Sequence, residues 1–190
     1  MNPPMAMELK ISSRVPLAPI LELVRRYLGR ELGLRVPSID ADAGLGRELS
    51  DELLRQGDAD LGAFLRVFDV GPDAPAAQTG RRHAIRVVHL DEADAEAVIR
   101  ACTRLRLFLR TDALGIVPDE VLEGDGTGDG VIGFIVARMD PSNPDGVLDR
   151  AAAGRLVDAY ACYAILAGIQ VHVIDLLDTF PDPGAGEAGR

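Results

Sequence analysis

Val98, Cys102, Leu105 and Leu109 step by four, three and four residues, which places them on one face of a helix. Ile99 and Phe108 widen that face. The spacing predicts a helix over 91–114. Asp91 is placed to cap its first free N–H groups, and Glu92, Asp94 and Glu96 set negative charge against the positive end of the helix dipole. Arg100, Arg104, Arg106 and Arg110 fall in the later turns, with Glu96 four residues before Arg100 in the favourable order for an ion pair. Gly115 is a C-terminal stop and Pro118 closes the exit.

The same reading extends along the chain. Met7 to Val15 is a short extended segment with Leu9 and Ile11 on one side. Leu17, Leu21, Val24 and Leu28 share a face of a helix over 17–32, which Pro16 and Pro19 open and Gly33 and Pro37 end. Residues 38–46 read as a loop. Two short helices follow, over 45–54 and 61–68, divided by a turn at 57–60, with Asp60 as the cap of the second. Residues 70–80 (VGPDAPAAQTG) form a linker too short to demand two independent domains.

Two stretches are ambiguous between strand and helix. Residues 81–90 (RRHAIRVVHL) carry β-branched side chains just before the central helix, and 131–139 (VIGFIVARM) is apolar enough for a buried strand or a short buried helix. Asp145 or Gly146 opens a last helix over 148–178. This helix is apolar over most of its circumference, which describes burial within a bundle or in a subunit contact. Ala153, Ala161, Ala164, Ala167 and Gly168 let neighbouring backbones approach closely. Asp158, Gln170, His172 and Asp175 interrupt the run, and its uncharged part is shorter than the roughly 18–20 residues that a membrane span requires.

With aromatics at only 4% and no Trp, the core must be built from Leu, Val, Ile and Ala, which suits helix packing. The expected architecture is an all-α, single-domain helical bundle over 16–180. A flexible or extended segment occupies 1–15, a disordered tail 181–190, and one extended stretch is allowed near the N-terminus or in mid-chain. The formal net charge of −10 opposes general binding to nucleic acid or acidic membrane. A local basic patch at Arg81, Arg82 and Arg86 is the form a DNA contact would take. The start of the chain carries no basic-then-apolar leader pattern, and Cys102 and Cys162 form no disulfide framework, so both read as free thiols in a cytoplasmic protein.

No catalytic constellation emerges. Residues 123–130 (EGDGTGDG) resemble a calcium loop only in part, because the distal glutamate is replaced by the apolar run at 131–136, and no Gly-Lys-Ser/Thr follows for a phosphate. They read as an acidic loop. His83, His89 and His172 have no metal-ligand spacing. Asp158 and Asp175, if buried, require partners, and Arg104 or Arg106 would serve. A polar pocket formed by Arg104, Arg106, Asp158 and His172 is the alternative to a plain inter-helix salt bridge. Neither cofactor nor metal is expected.

The spans LAPILELVRRYLGREL, DADLGAFLRVFDVGPDAPAAQ, VVHLDEADAEAVIRACTRLRLFLRTDALGI and RLVDAYACYAILAGIQVHVIDLL, in this order, resemble a bacterial domain-of-unknown-function family, number two thousand and seventeen, best represented in actinobacteria. The resemblance covers about residues 16–178 and is concentrated in RLRLFLRTDALGI. The chain departs from that pattern in lacking the aromatic residues that the family often has just before its Arg-Leu run. The resemblance implies a cytoplasmic helical protein and supplies no chemistry. Together these features lead to the expectation of a non-enzymatic regulatory or protein-interaction module acting as a homodimer. A small-molecule sensor or enzyme and a DNA-binding regulator are the alternatives.

Overall fold

The computed structural model describes residues 6–12, 15–27, 43–69, 77–78, 84–124, 128–143, 146 and 148–179. Its elements are β1 (Met7–Ser12), α1 (Leu17–Tyr27), α2 (Ala43–Phe68), β2 (Ala77–Gln78), β3 (Ala84–Leu90), α3 (Glu92–Phe108), α4 (Asp119–Leu122), α5 (Asp129–Met139) and α6 (Arg150–Thr179). The protein is mainly helical, with a three-stranded antiparallel sheet in the order β1-β3-β2. The chain divides into two compact units, one of residues 1–103 with 168–190 and one of residues 104–167.

In the first unit, β1 pairs with β3 so that Met7 faces Leu90 and Leu9 faces Val88. Met7, Leu9 and Ile11 are buried while Glu8, Lys10 and Ser12 are exposed, the alternation of a strand with one face on a core. The ambiguous lead-in 81–90 is therefore a strand over its described part, 84–90, as its β-branched residues favour. The rest of the core comes from Ile20 and Val24 of α1, Leu61, Phe64 and Phe68 of α2, and Val98 and Cys102 of α3. Phe64 and Phe68, one turn apart, bring their ring centroids to 4.5 Å in a tilted contact.

The expected turn at 57–60 is overturned: α2 is one helix through it. Asp60 is not a cap. It is 5% exposed in mid-helix, accepts from Gln56 Nε2 one turn back at 3.1 Å, and takes Arg100 Nε from α3 on both carboxylate oxygens at 3.1 and 3.2 Å. That long-range pair, together with the buried Leu61 and Phe64 that follow, overrides the local turn signal. The helix over 17–32 is present as α1 to Tyr27, and its expected end lies outside the described residues. So does most of the 70–80 linker, apart from the two residues of β2.

α3 starts as its sequence predicts. Asp91 Oδ1 accepts from Asp94 N at 2.8 Å, and Val98, Cys102 and Leu105 are fully buried. After Phe108 the helix widens into a π-turn over Leu109–Ala113, closed by Leu114 N donating to Leu109 O at 2.8 Å. Arg110 fastens this end. It donates to Leu114 O at 3.1 Å and pairs with Asp119 at the start of α4.

In the second unit, residues 131–139 lie in a helix, α5, rather than a strand. Gly128 precedes it at φ +79°, a conformation that suits glycine, and a Cβ there would meet the Tyr160 ring at 3.1 Å. α6 begins later than expected. Asp149, not Asp145 or Gly146, caps it, accepting from Ala152 N at 2.7 Å. Val131, Ile135, Leu114, Val117 and Leu156 are buried in this unit.

α3 and α6 touch within each unit. Gln170 Nε2 donates to Thr103 Oγ1 at 2.9 Å in the first, and Arg106 Nη2 donates to Tyr163 OH at 3.1 Å in the second. In the first unit the sheet, α1 and α2 supply much of the buried interior beside α3.

Candidate functional site

α6 is the element that departs furthest from expectation. A helix apolar nearly all round was expected to be buried; only 17% of its most apolar stretch is. The buried residues Ala159, Leu166 and Val173 repeat every seven, flanked by Leu156 and Ile169, so one stripe faces the fold. On the opposite side Gly154, Val157, Ala161, Ala164, Gly168 and Val171 step by three and four in strict alternation. All six are exposed, Val157 at 46% and Val171 at 55%. This is a heptad seam facing solvent. Arg150 and Asp175, also exposed, continue the same spacing beyond its two ends.

Among the described residues, no packing within the chain explains the glycines of the seam: a Cβ at Gly154 or Gly168 would meet nothing there within 4 Å. Each costs the helix about 1 kcal/mol relative to alanine. Sequence reasoning missed the seam because the rest of the circumference is apolar too, so its small residues did not stand out. The alternation of three and four was the signal that could have found it.

α5 carries a second uncovered face. Ile132, Val136 and Met139 lie on one side of the helix and are exposed, Val136 at 61%, while Val131 and Ile135 are buried.

The residues expected to line a polar pocket lie on α3 and α6. Arg106 lies with its guanidinium carbon 4.7 Å from the centre of the Tyr163 ring while donating to the phenol, a cation–π contact added to a hydrogen bond. Arg104 is half-buried on the same helix. Asp158 and Asp175 are exposed, so neither requires the buried partner that an inward carboxylate would. His172 is exposed, and its Nδ1 lies 2.8 Å from the carbonyl of Gly168 one turn back.

Cys162 and Cys102 are free thiols. Burial, and then the charge of Asp158, push the half-buried Cys162 thiol above its ordinary pKa of 9.0, which makes it a poorer nucleophile at neutral pH. Among the described residues, no group of three or more His, Cys, Asp and Glu is placed to hold a metal ion.

Of the basic patch, Arg81 and Arg82 lie outside the described residues. Arg86 is half-buried and donates through Nη1 to Phe68 O at 3.2 Å, so it satisfies the C-terminal end of α2 instead of standing free for a phosphate. The part of the acidic loop at 125–127 also lies outside the described residues.

By length and composition α6 would also suffice to cross a bilayer. Its long uncharged run, between Asp158 and Asp175, covers only about 24 Å of axis against the roughly 30 Å of a hydrocarbon core. No protein-family model matches the chain, and no curated protein or solved structure is significantly similar to it.

Proposed function

We propose that this protein is a non-enzymatic interaction module of the cytoplasm that works as a homodimer. The observation that carries this reading is the uncovered apolar side of α6, a seam of six exposed apolar or small residues without a charge between Arg150 and Asp175. A face of this length exposed on a lone chain is characteristic of a surface that is covered in the working state. The acidic net charge favours a protein partner over a phosphate backbone. The engagement of Arg86 by α2 weighs against a DNA contact built on it. The kinship proposed from the run Arg104–Ile116 is compatible with this role and adds no reaction to it.

Sedimentation velocity on the full chain across about two decades of concentration tests the reading. A shift from monomer to dimer mass is the expected result. A monomer throughout, without detergent or lipid, would remove it.

A further inference from the structure

The geometry points to a defined occupant for the exposed side of α6: the same helix of a second copy, running antiparallel about a two-fold axis. This rests on the homodimer reading above and adds its surface, orientation and register.

α6 is one unbroken helix, so the order of residues along its seam is fixed by helix geometry alone. When Ala161 is set opposite Ala164 of an antiparallel second copy, the remaining positions follow without choice. Val157 falls opposite Gly168, and Gly154 opposite Val171. Each valine thus meets a glycine whose surroundings are open, and no layer places two large or two missing side chains together. One step further out, Arg150 falls opposite Asp175 at both ends of the contact. A two-fold interface requires this property: the same patch on both copies, with residue i on j and j on i.

A parallel pairing gives the reverse. Arg150 would face Arg150, Asp175 would face Asp175, valines would crowd valines and glycines would leave gaps. Charge and size therefore choose the same orientation independently. From Arg150 to Asp175 the contact would run about 37 Å along the helix. The seven-residue repeat gives the pair a left-handed crossing of about 20°. Small residues in every layer let the two backbones approach to the near end of the usual helix–helix distance of about 8–10 Å.

The stripe that anchors α6 to its own fold, Ala159, Leu166 and Val173, lies on the opposite side of the helix. One helix thus serves two interfaces. Asp158 and His172 flank the seam as part of its solvated rim.

The test is a size-swap series on the full chain, read by sedimentation velocity, with circular dichroism to verify that each variant is folded. At Gly168 a Cβ meets none of the described residues within 4 Å and the position is exposed, so Gly168→Leu is expected to fold, which the circular dichroism verifies. In the dimer it collides with Val157 of the second copy twice over, and dimerisation weakens by at least about 30-fold. Adding Val157→Ala to the same chain restores the dimer, because the new leucine now faces the new alanine. Arg150→Asp weakens the dimer, and Arg150→Asp with Asp175→Arg recovers it. In a parallel pair neither rescue can occur.

A dimer indifferent to Gly168→Leu, or a loss that neither second substitution repairs, overturns this interface while leaving the homodimer standing. A wild-type chain that remains monomeric overturns both. Wild-type chain that partitions onto phosphatidylcholine–phosphatidylglycerol vesicles and dimerises only there assigns the seam to lipid and overturns the inference.

Discussion

Single residues set the joints of this molecule, and three of them have measurable consequences. Gly128 combines a left-handed backbone with the Tyr160 ring against its missing side chain. Gly128→Ala should cost about 1–2 kcal/mol from the backbone alone, with the ring contact adding to it. Urea unfolding would read this as a lower midpoint with an unchanged slope. At Asp60, a buried carboxylate is held by Arg100, whose own pKa is raised chiefly by that hydrogen bond. Arg100→Met leaves the carboxylate, among the described residues, with Gln56. Because Arg100 is half-exposed and water can partly replace it, a loss of about 1–2 kcal/mol is expected rather than the roughly 3–5 of a fully buried pair. The double variant Asp60→Leu with Arg100→Met should recover part of the loss in the same assay. Cys162 titrates late because its neutral form is favoured in the folded chain. With the folded pKa raised, this contribution to stability is complete below the unfolded pKa, near 9, and is lost as pH rises through the folded value. Alkylation by iodoacetamide at pH 8 should therefore be slower at Cys162 than in the unfolded chain. Asp158→Asn should quicken it only modestly, since burial is the larger cause.

At the scale of elements, legibility followed how local each determinant is. The start and core face of α3 could be read because Asp91, Val98, Cys102 and Leu105 all lie within its own length. β1 was legible for the same reason, in the placing of Leu9 and Ile11 on one side. α2 was misread at 57–60 because its continuity depends on Arg100, forty residues away. The stretches 84–90 and 131–139 are both rich in apolar residues, and their neighbours separate them: the first finds β1 to pair with, while the second follows the left-handed Gly128 as α5. On α6 the apolar circumference was plain, but which side the fold covers is decided by other elements. The two sides of α5 offer a direct measurement. Ile135→Ala should destabilise by about 2–4 kcal/mol, whereas Val136→Lys, on the exposed side, should stay within about 0.5 kcal/mol by chemical denaturation.

For the molecule as a whole, the division into two compact units means that α3 and α6 each contribute to both. If the chain works as a dimer, its unfolding is linked to association. Its melting temperature should then rise with protein concentration, and Gly168→Leu should flatten that dependence in differential scanning calorimetry. The expected bundle was right in being mainly helical. What the apolar pattern did not reveal is the sheet that accompanies the helices, since β1 and β3 are far apart in the chain and only their pairing makes them one surface.

That pairing has a consequence for synthesis. Met7 leaves the ribosome about eighty residues before its partner Leu90. At about 5–20 residues per second, the first strand waits for several seconds with its backbone amides and carbonyls unmatched. Synonymous codons that slow translation between the two would lengthen this wait, and holdase chaperones that bind nascent extended segments would find their opportunity there.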